Sequence, residues 1–305
     1  MSKVEVICYG DINVDYVGNM NRLPEVDEEL PIENLTIHCG GAATNVAVGL
    51  ARLGHSVSFL GCTGDDEIGK RLLSELAEDG VIISNVIVKE DMNTGMAIAI
   101  LDNEGERRLM TYSGANNKME VRDISENIFE DARIFHLSSP QLHMVEPLLK
   151  YAKEKGLITS FDPGSIICRL GISVIEPLLH LVDVLFLNQV EYQQLMGSKI
   201  PSNLRYFCDL GCKMVIYKKG REGSILLTKE GLSTELPGFD VVSVDSTGAG
   251  DAFAAGFLSA MLRNEEMDMI ILSANAMGAI AVTARGAKVA LPDRNKLEKF
   301  IYNHK

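Results

Sequence analysis

Apolar residues along this chain fall into two recurring patterns. Short, nearly uninterrupted apolar runs occur at residues 4–9, 57–62, 134–137, 158–162, 184–188, 214–218 and 224–227, as expected of strands buried on both faces. Between several of them the apolar spacing changes to three and four. That spacing predicts helices over 42–53, 68–79, 146–155, 190–196 and 203–210, and a wholly apolar helix over 252–262. Alternation of this kind predicts an α/β fold, with a central mainly parallel sheet between two helical layers. Two stretches, about 12–38 and 93–113, break the rhythm with turns and short alternating runs such as Met96-Ala-Ile-Ala-Ile-Leu101. They read as antiparallel strands projecting from the main sheet. No internal repeat or long linker appears, so one domain over 1–305 with a small β appendage is expected.

Composition narrows the function classes. With 46% hydrophobic and 23% charged residues, the chain is an ordinary globular sequence. A net charge of −13 without any Lys/Arg cluster argues against nucleic acid and against a membrane surface as partners. The N-terminal residues read as a first strand, without the pattern of a signal peptide. The longest uncharged run, 269–284, is too short to span a bilayer. The sequon at Asn34-Leu-Thr36 would then go unused. Six cysteines (8, 39, 62, 168, 208 and 212) show no paired framework, and buried thiols are expected rather than a metal site. A cytoplasmic location follows.

The segment Asp245-Ser-Thr-Gly-Ala-Gly-Asp-Ala-Phe253 carries the clearest chemistry. Gly248, Ala249 and Gly250 run into an apolar helix whose first N–H groups lack intrahelical partners, a setting suited to a phosphate or a developing anion. Asp251 stands at that anion site, either as a base that takes a proton from an attacking hydroxyl or as a helix cap. A second glycine site, Gly40-Gly41-Ala-Ala-Thr-Asn45, opens a helix that stops at Gly54. It presents Asn45 to a ligand or is simply a tight turn. Asn13 and Asp15 lie two apart after the first strand; in an extended chain they share a face suited to sugar hydroxyls, or they belong to a solvated loop. The run Gly64-Asp-Asp-Glu-Ile-Gly-Lys-Arg71 imitates a P-loop. Arg71 stands where Ser or Thr should hold Mg²⁺, and three acidic residues fill the loop, so it is set aside.

The two glycine sites, in this order and about 200 residues apart, resemble the ribokinase-like (PfkB) carbohydrate kinase family. Cys62-Thr-Gly-Asp-Asp-Glu-Ile-Gly69, Asp162-Pro-Gly164 and Asn188-Gln-Val-Glu191 match it too, so the resemblance covers essentially the whole chain.

That resemblance implies a three-layer α/β/α fold with a β-sheet lid over the acceptor, at about 12–38 and 93–113. It implies an ATP-dependent kinase that phosphorylates a primary hydroxyl of a small sugar. Asp251 would be the general base and the Gly248, Ala249 and Gly250 backbone the anion hole. Asn13, Asp15, Gly40, Gly41 and Asn45 would contact the acceptor. Asn188, Glu191, Lys218, Gly220, Gly223 and Asn275 would serve ATP, with Glu191 reaching Mg²⁺ through water. A monovalent cation, K⁺, would sit on Asp245 with carbonyls of Thr247, Ala281, Ala284 and Gly286, although Ala290 replaces a hydroxyl ligand. Ala42 stands where ribokinases carry Lys, and Ser138 where they carry Glu, so the acceptor stays open. A nucleoside kinase and a non-catalytic sugar sensor on the same fold are the alternatives. Tyr16 and Tyr112 could stack on a base or simply pack, and the lid could pair two chains as a homodimer.

Overall fold

The computed structural model describes residues 3–102 and 107–304. Residues 103–106, which fall inside the second turn-rich stretch, lie outside the described residues, as do 1, 2 and 305. Strands β1 (Val6–Tyr9), β2 (Asn13–Asn19) and β3 (Glu33–Gly40) open the chain, followed by α1 (Ala42–Arg52), β4 (Val57–Gly64) and α2 (Glu67–Glu78). Next come β5 (Val86–Lys89), β6 (Gly95–Leu101), β7 (Arg107–Tyr112), β8 (Ile134–Ser138), α3 (Leu142–Glu154) and β9 (Ile158–Asp162). Short helices α4 (Gly164–Cys168) and α5 (Ile172–Ile175) precede β10 (Val184–Asn188), α6 (Gln189–Met196), α7 (Arg205–Asp209) and β11 (Met214–Lys218). Strands β12 (Ser224–Thr228) and β13 (Ser233–Leu236) and helices α8 (Ala249–Leu262), α9 (Met267–Ala281) and α10 (Arg294–Asn303) complete it.

Nine strands form one sheet in the order β13-β12-β11-β10-β9-β8-β1-β4-β5. Pairing is parallel from β11 through β5, and antiparallel only where β12 and β13 extend the edge. Alternate strand residues enter opposite apolar layers. Phe186 and Ile216 join α1, α8 and α9, whereas Leu185, Leu187 and Val215 join α3 and the short helices. Phe257 of α8 meets Phe186 edge-on at 5.2 Å between centroids and is fully buried. A side chain of that size contributes about 1.5–3 kcal/mol by burial. The α/β reading of the sequence therefore holds, with helices on both faces.

A second sheet, β3-β2-β6-β7, is built from the two turn-rich stretches. Its central pair, β2 and β6, runs parallel, so it is not the wholly antiparallel unit the alternation predicts. Other differences have local causes. The helix predicted over 146–155 begins earlier, α3 starting at Leu142 and running through Pro147 to Glu154. The helix predicted over 203–210 shrinks to Arg205–Asp209. Helix α9 is mostly apolar and packs against α8 and the sheet edge, so no clear period of 3.6 betrays it. Among the described residues no helix is long and apolar enough to cross a membrane. All six cysteines are free and buried, as expected.

Candidate active site

Parallel strands deliver side chains to one end of the sheet, beyond their carboxyl termini. Asp162 ends β9, Asn188 ends β10 and Lys218 ends β11, and Lys218 Nζ lies beside Gly250 at the start of α8. That start is set by Gly248, whose φ of 76° is left-handed and whose missing Cβ makes room for Ala287. The Ala249 N–H turns back to the Ser246 carbonyl at 3.3 Å, so it is less available than the sequence suggests. Among the described residues, the Gly248, Gly250 and Asp251 N–H groups meet no acceptor. Three donors therefore point away from the helix, as an anion would require.

Asp251 itself is not a cap in this structure. Its Oδ2 accepts a hydrogen bond from Asn45 Nδ2 at 2.8 Å, across 206 residues of sequence. The Asn45 Oδ1 is buried and has no partner. An orphaned buried acceptor beside a carboxylate suits a hydroxyl that donates to Asn45 or Asp251. Burial pushes the Asp251 carboxyl up to about 6, Asn45 opposes that rise, and the Asp162 and Asp15 charges add to it.

Asn13 and Asp15 both lie on β2 and pair across to Gly40 and His38 of β3. Any side chain at Gly40 would collide with the Asp15 carboxylate, and Gly41, at φ 108°, lies against the Asp11 carbonyl. The glycine pair thus lets β3 turn into α1 without filling the space that Asp15 occupies. Asn13 Oδ1 accepts from Asn116 Nδ2 at 3.0 Å, and Asn116 is fixed in turn by Ile12 N–H at 3.1 Å and Ile12 carbonyl at 3.0 Å. Asn116 and Gly95, which abuts both asparagines, escaped sequence reading because nothing near them has a motif. Asp11, held by Gln141 Nε2 at 2.9 and 3.0 Å and raised by burial to about 6, was also missed. Ser138 is buried at the end of β8, and Ala42 starts α1.

A buried charge cluster adjoins the helix start. Lys218 Nζ pairs with Asp162 Oδ2 at 2.6 Å, both side chains being about nine-tenths buried. Burial works against the Lys218 charge, but Asp162 and Glu191 outweigh it and hold the amine at about 12. Glu191 is raised to about 7 by burial and by the Asp162 charge. A methyl group at Gly250 would sit 3.4 Å from Lys218 Nζ, so the ammonium adjoins the open N–H groups. Asp162, Glu191 and Asp251 thus surround one lysine, an excess of negative charge that a divalent cation would relieve. Among the described residues no three acidic, His or Cys side chains converge as metal ligands do.

Asn188 and Glu191 are locked together as a capping box. Asn188 Oδ1 accepts from Val190 N and Glu191 N at 2.9 Å, and Glu191 Oε2 accepts from Asn188 N at 2.8 Å. Asn275 is likewise spent, accepting from Ser224 Oγ at 2.9 Å and donating to the Leu236 and Pro237 carbonyls at 3.3 and 3.1 Å. Gly220 and Gly223 form the left-handed turn between β11 and β12. The bonds of Asn188, Glu191 and Asn275 serve the fold. Asp245 clamps two loops: Oδ1 accepts from Thr247 N and Oδ2 from Gly286 N, both at 2.9 Å. Val244 N–H adds a bond to the Val282 carbonyl at 2.7 Å. Thr247 and Gly286 are therefore brought to one carboxylate.

A cavity of about 760 Å³ lies between the smaller sheet, α2 and these loops, with Asp15 and Thr247 on its wall. Its lining includes His38, whereas Asn13, Asn45 and Asp251 lie outside it. Tyr16 packs on the main apolar layer and Tyr112 is exposed, so neither offers the cavity a stacking surface. The P-loop imitation is closed from within. Asp66 caps α2 through Gly69 N at 2.7 Å and accepts from Thr94 N at 2.8 Å, filling the place of a phosphate.

Residues 3–294 match the pfkB family carbohydrate kinase model. The chain is 34% identical to the ATP-dependent ribose-1-phosphate kinase of Halopiger xanaduensis, over 94% of this chain and 95% of that protein. The structure of Arabidopsis thaliana ribokinase complexed with ribose and ATP superposes with a TM-score of 0.89, 26% identity and 99% coverage of both chains. A putative ribokinase II from E. coli in complex with ATP and Mg²⁺ superposes with a TM-score of 0.87, 26% identity, and coverage of 99% and 100%.

Proposed function

The chain belongs to the pfkB family of carbohydrate kinases, and from that premise we propose that it transfers the γ-phosphoryl of ATP to a primary hydroxyl of a small sugar. The observation that carries this is the Asn45–Asp251 pair: a carboxylate at a donor-rich helix start, bonded at 2.8 Å to an amide whose other atom is buried and unpartnered. The acceptor hydroxyl donates to Asp251, which takes its proton as the bond to phosphorus forms. Asn13 and Asp15 hold other hydroxyls, and Asn45 orients the reacting one. Gly248, Gly250 and Asp251 N–H groups, with Lys218, stabilise charge on the transferred group. When bound beside Glu191, Mg²⁺ would neutralise phosphate charge. Asp245 and the carbonyls of Thr247, Ala281, Ala284 and Gly286 would hold K⁺ and so stiffen the loop that ends at Gly248.

The smaller sheet serves as a lid of a single kinase domain, excluding water from the cavity. Exposed Leu35, Met110 and Tyr112 on that sheet support pairing of two chains. Six free, buried thiols support a cytoplasmic location. ADP release with Mg²⁺ and a panel of pentoses, hexoses, sugar acids and nucleosides tests the reading. Turnover above background with at least one sugar is expected, and silence across the panel refutes it.

A further inference from the structure

The run that imitates a P-loop does more than cap α2. Asp66 is half-buried, and its two oxygens take three donors from two separate segments. Oδ1 accepts from Gly69 N at 2.7 Å and from Thr94 Oγ1 at 2.6 Å, and Oδ2 accepts from Thr94 N at 2.8 Å. Thr94 is buried, and its hydroxyl accepts in turn from the N–H of Gly64, the last residue of β4, at 3.2 Å. An asparagine has one acceptor oxygen and would set its amide against the Thr94 N–H, so only a carboxylate satisfies all three donors. Gly69 lets α2 close on this knot, since a Cβ there would stand 2.7 Å from Thr94 Oγ1.

Thr94 immediately precedes β6, the strand by which the chain re-enters the smaller sheet. From there the register leads to the acceptor residues. Strand β6 pairs in parallel with β2, Gly95 opposite Asn13 and Ala97 opposite Asp15. Gly95 abuts both Asn13 Oδ1 and Asn116 Nδ2, so a shift of its backbone acts on the bond that holds Asn13. Beside burial, the Asp15 charge raises the Asp251 carboxyl, so β2 and the start of α8 face one site. We infer that Asp66, acting through Thr94, is a positioning residue: it clamps the root of the smaller sheet to α2 and β4 and so sets Asn13 and Asp15 relative to Asp251. The roles of those three rest on the kinase reading above. Bonds to a carboxylate are shorter and stronger than neutral ones, which suits a joint that must hold one geometry.

Initial rates of ADP release with ATP and Mg²⁺, with ribose and fructose as acceptors, test this together with amide hydrogen exchange. Thr94→Val keeps the backbone bond to Asp66 and the α2 cap but removes both hydroxyl bonds. It should raise the acceptor KM by ~5–100-fold and leave the ATP KM within ~2-fold, because only the acceptor side is loosened. Amides of β6 should exchange at least ~5-fold faster, with those of β9 unchanged. Thr94→Ser keeps the hydroxyl and should return both readouts close to wild type. Asp66→Asn should follow Thr94→Val, which serves alone if the Asn variant folds poorly. Equal rises in both KM values overturn the inference, as does a lowered melting temperature with acceptor KM and β6 exchange unchanged; Asp66 would then be a helix cap alone. A Thr94→Ser variant as impaired as Thr94→Val overturns it too. Absence of ADP release with every sugar, while β6 exchange is still faster in Thr94→Val, sinks the kinase reading and leaves the clamp.

Discussion

Replacing Asp251 by Asn isolates its basicity from its shape. The amide keeps the size of the side chain and can still accept the 2.8 Å hydrogen bond from Asn45. It cannot take a proton. A positioned general base contributes ~10²–10⁴ in rate, or about 3–5 kcal/mol of barrier, so kcat should fall by at least ~10² while ATP affinity stays within a few-fold. The structure adds two further signatures. Burial lifts the Asp251 carboxyl to about 6, so wild-type kcat/KM should decline as pH falls through about 6, and this limb should vanish in Asp251→Asn. A carboxyl raised on folding favours the protonated fold. Its stabilising effect is therefore complete below the unfolded value near 4 and is lost as pH rises through about 6. Asp251→Asn should accordingly melt higher than wild type at pH 8, by up to ~3 kcal/mol, with the gap closing toward pH 4. Steady-state rates, ATP binding and thermal melts across pH measure all three. A variant that turns over within a few-fold of wild type, with the acid limb intact, would mean that Asp251 is no base.

Asn13→Ala and Asp15→Ala should each raise the acceptor KM by ~5–150-fold with little change for ATP, the cost of an unpaired polar group. Asn116→Ala should reproduce the Asn13 effect because Asn116 fixes it at 3.0 Å; steady-state kinetics decide. Lys218→Met leaves Asp162 buried without its 2.6 Å partner and should cost about 3–5 kcal/mol in urea unfolding; an unchanged midpoint would contradict the ion-pair reading. Rates at constant ionic strength should be higher in K⁺ than in Na⁺ or a large organic cation, and Asp245→Asn should lose that difference; identical rates in all three would remove the cation site.

Local chemistry was written in the sequence wherever one short segment makes the feature by itself. The parallel strands are continuous apolar runs because both faces are buried. The junction at Gly248 is legible because only a residue without a Cβ tolerates φ 76° against Ala287. Asn13 and Asp15 share a face because β2 alternates. Tertiary structure decided what depends on residues distant in the chain. Asp251 could have been a cap until Asn45 met it across 206 residues. Glu191 and Asn188 turned out to bind each other, a choice that spacing alone left open. Asp162 and Asn116 gain meaning only from neighbours: a buried lysine, and an asparagine on another strand. Helix α9 hid for the same reason, since a mostly apolar helix packed against another helix and a sheet edge shows little amphipathic period. Burial and charge in this site are properties of the assembled fold, and no segment encodes them alone.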